Sequence, residues 1–239
     1  MAQMILYQSK TGYRYNSDSL FLYDFALRFT NFKGGALLDV GCGCGILGLL
    51  LARDFRDFAF SLTSIDISPL NTTITAKNAK LNAIKAQIIC ADFISWASEF
   101  CGQKFSLIIS NPPFYNFGFE SANSHRNLAR ENKNMDLNDF IKSCSRLLLP
   151  KGKLAFCYDV RFLDMIISAL NANKLKLNKM RLIYPKEQKS AKTALFLCAK
   201  SSRSPCEIIA PLYANLNEIL SDEAKEIYKK ASLKSIDFD

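Results

Sequence analysis

The stretch that most restricts this chain is Ala36-Leu37-Leu38-Asp39-Val40, followed at once by Gly41-Cys42-Gly43-Cys44-Gly45 and then by Ile46–Phe55. A short apolar run bounded by glycines fits a strand buried on both faces. Glycines at alternate positions let the chain turn sharply, bring backbone close to a ligand and begin a helix without delay. Strand, glycine loop and helix in that order open a parallel α/β unit. The alternation continues along the chain. Phe60–Ile65, Gln87–Cys90, Phe105–Ser110, Leu154–Tyr158, Lys176–Ile183 and Thr193–Ala199 read as further strands. Helices are expected from Pro69 to about Leu81 (Ser68 as N-cap, proline at the first position), from Asp136 to Leu149, over Arg161–Leu170, and after a Ser221 cap. Pro150-Lys151-Gly152-Lys153 reads as a turn. The expected fold is α/β and Rossmann-like: a seven-stranded, mostly parallel sheet with helices on both faces and an antiparallel last strand. The expected organisation is an N-terminal extension (1–35) contributing to a pocket, a main domain (36–200), and a C-terminal tail (201–239) whose helix packs on the same domain.

Composition narrows the function classes. With 239 residues, 49% of them apolar, one domain with a sizeable core is expected. The most apolar run, Ala36 to Ala52, contains Asp39 and four glycines and does not read as a membrane span. Met1-Ala2-Gln3-Met4 lacks the basic and apolar regions of a signal peptide, so the expected location is cytoplasmic. Of eight cysteines only Cys42 and Cys44 are close, so reduced and mostly buried thiols are expected rather than disulfides or zinc. The single histidine, His125, leaves little room for a metal cluster or a Ser-His-Asp scheme. A monomer without metal or membrane partner is expected.

The net charge of +9 is unevenly placed. Residues 171–203 carry nine basic side chains and one acid, and residues 204–239 carry seven acids and four lysines. A solvated lysine-rich face is one explanation. A polyanionic partner, RNA first, is the other.

Gly43-Cys44-Gly45-Ile46-Leu47-Gly48 fits the dinucleotide fingerprint G-x-G-x-x-G, which alone is weak. Asp39 turns the reading towards S-adenosylmethionine. A carboxylate beside Gly41, Gly43 and Gly45 suits the amino end of a methionine moiety and would repel the pyrophosphate of NAD. Asp66, 27 residues further on and at the end of the second strand, can accept both ribose hydroxyls, with Ile67 beside it. Asp92, after the third strand, can accept from an adenine amino group, with Phe93 on the ring. Each acid alone is more often a turn residue or a helix cap. Three at the ends of consecutive strands outline a ligand crevice.

The fourth strand leads into Asn111-Pro112-Pro113-Phe114. Two prolines fix φ and remove N–H groups, so the local carbonyls face outward without competing donors. A planar conjugated amine is a poor nucleophile because its lone pair is delocalised. The Asn111 side-chain oxygen and the Pro112 carbonyl can each accept one hydrogen from such an amine and turn its lone pair towards a methyl-sulfonium. Phe114 can stack on the ring. No strong general base is needed, and catalysis is then mostly orientation and charge placement.

Taken together, the Asp-x-Gly-x-Gly-x-Gly loop, Asp66, Asp92 and Asn-Pro-Pro-Phe resemble the class I methyltransferases that modify amino groups. Three segments bring the resemblance closer to the bacterial tRNA(Val) adenine N6-methyltransferases: Arg14-Tyr15-Asn16-Ser17-Asp18, Ile109–Tyr115, and Arg126-Asn127-Leu128-Ala129-Arg130. The resemblance implies S-adenosylmethionine as cofactor and a flipped adenine next to the anticodon, methylated on its 6-amino group. It also implies that the Tyr115–Asn134 loop serves as a lid, with Tyr115, Arg126 and Arg130 at the RNA and Ser17 and Asp18 near the cofactor. Phe114 stands where tyrosine is commoner, and either ring can stack.

Other readings remain open on sequence. Ribosomal RNA guanine 2-amino methylation uses similar motifs. Glutamine methylation in a protein poses the same lone-pair problem, but those enzymes have a larger N-terminal domain, and 35 residues precede Ala36 here. An NAD oxidoreductase leaves Asn-Pro-Pro-Phe unexplained. A non-catalytic RNA-binding relative leaves the intact motifs unexplained.

Overall fold

A computed structural model describes residues 3–10, 14–112 and 135–238. The first half runs β1 (Met4–Ser9), α1 (Ser17–Phe29), β2 (Gly35–Val40), α2 (Ile46–Asp54), β3 (Phe60–Asp66), α3 (Pro69–Leu81), β4 (Gln87–Cys90), α4 (Phe93–Glu99) and β5 (Phe105–Ser110). The second half runs α5 (Leu137–Leu147), β6 (Leu148–Asp159), α6 (Leu163–Ala172), β7 (Leu175–Lys186), β8 (Thr193–Lys200), β9 (Glu207–Leu216), β10 (Ile219–Leu220), α7 (Asp222–Ala231) and β11 (Leu233–Phe238).

The principal sheet has the order β10-β9-β7-β8-β6-β5-β2-β3-β4. β4, β3, β2, β5 and β6 are parallel neighbours, and β8 runs antiparallel between β6 and β7. From β2 the chain steps outward through β3 to β4, then returns to lay β5 on the other side of β2. That reversal is the topological switch point of an open α/β sheet, where ligands bind outside the carboxyl ends of the strands.

Residues Ala36 to Val40 are all buried, which requires cover on both faces of β2. Leu37 belongs to a core shared with residues of α1, α2, α3 and α7, and Leu38 to one shared with residues of α4, α5 and α6. Successive side chains of a strand point to opposite faces, so one strand feeds two cores.

The sheet is wider than the seven strands expected. Among the described residues it has nine, and β1 pairs with β11 in a separate parallel ribbon. β9 escapes a sequence reading because Pro211 interrupts it. The register against β7 shifts between Arg181 and Ile183, and the bulge is filled by Arg181, which donates to the Ala210 carbonyl at 2.9 Å and to Glu223 at 2.7 Å. The expected turn at Pro150–Lys153 is a bulge inside β6, where Lys151 takes φ 64° and the pairing jumps from Leu148 to Lys153. α1 and α4, not foreseen, are capped by Asn16 and Asp92.

β1 shows how side chains can stand in for a strand. On the edge away from β11, the amides of Asn78 in α3 and of Asn82, which caps the end of that helix, each accept from and donate to β1 backbone, at Tyr7 and Ile5.

Candidate active site

The site is built at the switch point. β2 and β5 are paired in register, with Val40 opposite Ser110. The chain leaves Val40 into the glycine loop and leaves Ser110 into Asn111, so both motifs emerge side by side from adjacent strand ends. A shallow cavity there is lined by Tyr15, Ser19, the loop from Gly41 to Cys44, Ile46, Leu47 and Asn111. A larger groove of about 230 Å³ lies at the amino ends of the strands, near Lys33, Ser106 and Lys153, away from these groups.

Gly41, Gly43 and Gly45 have φ of 66°, 57° and 82°, a region that side chains disfavour. The Gly41 and Cys42 amides donate to the Ile65 carbonyl, which anchors the loop to β3. A Cβ on Gly41 would meet nothing within 4 Å, so this position faces open space. α3 holds the loop from beneath: Thr75 donates to the Gly43 carbonyl at 2.8 Å and Asn78 to the Cys44 carbonyl at 2.8 Å. Cys42 and Cys44 are buried, and burial keeps both thiols protonated, pushing Cys44 up to about 12.

Asp39 is fully buried beneath the loop and does not line the cavity. Its Oδ2 accepts from the Gly48 amide at 2.8 Å, while its Oδ1 has no hydrogen-bond partner among the described residues. Burial, opposed by the Gly48 amide and reinforced by the charge of Asp66, raises its carboxyl to about 7. A buried acceptor without a donor, beside a backbone cradle open at Gly41, fits a ligand that brings hydrogen-bond donors or positive charge.

Asp66 is turned inward. Its Oδ2 accepts from the Gly43 amide at 2.9 Å, and its Oδ1 accepts from the Ser68 amide at 2.9 Å and from Asn71 Nδ2 at 3.1 Å. A carboxylate offers about four lone-pair sites, so about one is left, on Oδ2. Capturing both ribose hydroxyls, as the sequence suggests, requires Asp66 to give up an internal bond. Ile67 beyond it is exposed at the strand end. Asp92 is half-buried and caps α4, accepting from Ser95 at 2.8 Å. Phe93 is buried, with its ring against those of Trp96 and Phe140.

Asn111 is gripped at both ends of its amide. Its Nδ2 donates to Ser19 Oγ at 2.9 Å, and its Oδ1 accepts from the Cys157 thiol at 2.9 Å. Burial and then the charge of Asp18 push the Cys157 thiol well up, so it stays protonated. Asp18 is itself raised by burial and accepts from Thr193 at 3.4 Å. Pro112 is buried next to Asn111. Pro113, Phe114, Tyr115, Arg126 and Arg130, and His125 with them, lie outside the described residues.

Sequence reasoning missed Tyr15 as a cavity wall and missed Ser19, Thr75, Asn78 and Cys157 altogether. Asn78 and Thr75 share a helix face at the spacing of three that brings side chains together, but nothing in their identity marks a loop clamp.

Two sequence segments of opposite charge meet in space. Lys179 pairs with Glu207, Arg181 with Glu223 and Lys186 with Glu218. Lys200 donates to the Ser145 and Leu148 carbonyls. The basic density of 171–203 is thus partly neutralised within the fold.

A mixed sheet with this reversal, a glycine loop at its centre and an amide at the adjoining strand end define a class I methyltransferase architecture. The family model described as methyltransferase small domain matches residues 19–165, and the chain belongs to that family. A tRNA1(Val) (adenine(37)-N6)-methyltransferase of Porphyromonas gingivalis is 33% identical over 122 residues, which is 49% of this chain and 47% of that one. The chain therefore spans about half the length of that relative. The enzyme of the same description from Tolumonas auensis is 28% identical over 202 residues, 84% of this chain and 81% of that one. Among solved structures, an O-methyltransferase assigned by prediction from Agrobacterium tumefaciens superposes with a TM-score of 0.68 at 17% identity, covering 92% of this chain and 99% of that one. TrmN from Thermus thermophilus gives 0.56 at 18% identity, covering 76% and 48%.

Proposed function

We propose that this protein transfers the methyl group of S-adenosylmethionine to the 6-amino group of an adenine in RNA, in the anticodon loop of tRNA(Val). The observation that carries the reading is the emergence of Asn111 at the end of β5 directly beside the glycine loop at the end of β2. The cofactor supplies an electrophilic methyl group. The open cradle at Gly41 and the unpartnered oxygen of Asp39 suit its methionine end, and the remaining lone pair of Asp66 and the exposed Ile67 suit its nucleoside end.

Asn111 supplies an acceptor for one hydrogen of the target amine, and the Pro112 carbonyl supplies the second. Accepting both turns the nitrogen lone pair towards the methyl group, and the surplus proton passes to water. The work of the site is orientation. Adenine as target, and tRNA as the molecule carrying it, rest on the likeness to enzymes described as tRNA1(Val) (adenine(37)-N6)-methyltransferases. Lys174, Lys176, Lys189, Lys192 and Arg203, none of which has an ion pair among the described residues, are the candidates for phosphate contact. Among the described residues no helix is long and apolar enough to cross a membrane; a cytoplasmic place fits the substrate.

Purified protein with labelled S-adenosylmethionine is expected to methylate tRNA from a strain lacking the enzyme, and nucleoside analysis to give 6-methyladenosine. Label confined to guanine of ribosomal RNA, or to protein glutamine, would replace the substrate while keeping the amine chemistry. Asn111→Ala is expected to cut transfer about 100-fold or more with cofactor binding retained.

A further inference from the structure

We propose that Cys157 and Ser19 are positioning residues for the transfer: together they hold the Asn111 amide in the one rotation that presents its oxygen to the incoming amine. This deepens the function proposed above and rests on it.

The placement follows from the sheet. Ser110 of β5 is paired with Phe156 of β6, so the next residues, Asn111 and Cys157, continue side by side past the ladder. Phe156 points into the core under α5 and α6, and Cys157 into the opposite core under α1, where Ser19 lies in the first turn. The amide of Asn111 is thus approached by the thiol from β6 and by the hydroxyl from α1. Thr193 of β8, donating to Asp18, ties that first turn of α1 to the same end of the sheet.

A terminal amide torsion is broad and roughly two-fold, so an asparagine at a strand end can present either its oxygen or its N–H₂. Only the oxygen can accept from an amine. Ser19 by itself does not choose, because a hydroxyl can donate or accept. Cys157 does choose. Its proton is retained in the buried setting, and it donates to Asn111 Oδ1. In the flipped amide, N–H groups would face both the sulfur, a weak acceptor, and the amine, itself a donor. Two bonds would be lost. The carbonyl oxygen has two lone pairs, so the thiol occupies one and leaves the other for substrate.

The test compares Cys157→Ser, Cys157→Val and Cys157→Ala with the wild-type protein, each first checked for an intact thermal transition. Valine keeps the packing without a donor, and serine keeps a donor. Expected is a fall in kcat of roughly ten- to hundredfold for valine and alanine, with KM for RNA and cofactor affinity unchanged, and substantial recovery in serine. Wild-type kcat in the valine or alanine variant overturns the proposal, as does a serine variant no better than alanine at equal thermal stability. A readout independent of activity is the S–H stretching band of Cys157, isolated as the Raman difference between wild type and Cys157→Ala. It is expected to move to higher frequency in Asn111→Ala, and an unmoved band overturns the proposal. If wild-type protein methylates no amine at all, the proposed function fails while the band still decides this one.

Discussion

Ser110 donates its hydroxyl hydrogen to the carbonyl of Val40 at 2.8 Å, joining the last residues of two adjacent parallel strands. The bond is buried and sits between the two motifs that make the site. It fixes the separation of the glycine loop and Asn111 at their common root.

Ser110→Ala removes that tie and leaves a buried carbonyl with one bond fewer. The expected cost is about 1–2 kcal/mol in denaturant unfolding, together with a fall in kcat larger than any loss of cofactor affinity. A variant that loses stability but keeps kcat would show that the bond serves folding alone.

Gly41 and Gly48 separate ligand space from packing. A methyl group on Gly41 enters open space, whereas one on Gly48 would lie 2.9 Å from Asp39 Oδ2 and 3.1 Å from Leu62. Gly41→Ala carries backbone strain of about 1–2 kcal/mol because of its positive φ. It is expected to weaken cofactor binding, measured by calorimetry, beyond what the accompanying loss of a few degrees in melting temperature explains. Gly48→Ala is expected to lower the melting temperature by several degrees at about 1–3 kcal/mol of overpacking. Equal effects on both readouts in the two variants would remove the distinction.

Asp39 makes stability depend on pH with a defined sign. Its folded carboxyl is raised from 3.8 to about 7, so the folded chain holds the proton more tightly than the unfolded one. Its contribution is full below about pH 4 and is lost as pH rises towards about 7, on the order of a few kcal/mol. The difference in unfolding free energy between wild type and Asp39→Asn, followed across that window, is expected to shift against the wild type as pH rises. A difference that stays flat would place the Asp39 titration elsewhere.

The basic side chains divide into paired and unpaired sets. Lys179→Gln and Lys186→Gln each remove the partner of an acid, Glu207 or Glu218, and are expected to leave the KM for tRNA nearly unchanged. Combined substitution of Lys174, Lys176 and Lys189 by glutamine is expected to raise that KM and to flatten its salt dependence, roughly one unit of slope per lost phosphate contact. The opposite ranking would move the RNA to another face.

Chemistry written into adjacent residues was legible without coordinates. The glycine loop after an apolar strand fixes a strand–loop–helix unit, because alternate positive φ values are cheap only for glycine. Ser68-Pro69, Asp136 and Ser221 announce helix starts through their caps, and each one does cap its helix. Asn111-Pro112 directly follows an apolar strand in the sequence, and the Asn111 amide does emerge at the end of that strand beside the glycine loop.

What the sequence could not determine depends on partners distant along the chain. β9 pairs with β7 across a bulge at Ala210-Pro211 where Arg181 donates to the Ala210 carbonyl, and β1 is held by asparagines 71 and 77 positions away. The sequence does not show that Asp66 already accepts from Gly43, Ser68 and Asn71, nor that Phe93 is buried in the core. Which basic side chains of 171–203 are paired is decided by the fold, where Lys179, Arg181 and Lys186 meet Glu207, Glu223 and Glu218. Cys157, 46 residues from Asn111, carries no local mark of its role. Local rules of φ, capping and donor supply act within a few residues and can be read from sequence. Burial and hydrogen-bond satisfaction are properties of the closed structure, and they decided which candidate groups remain free to meet a ligand.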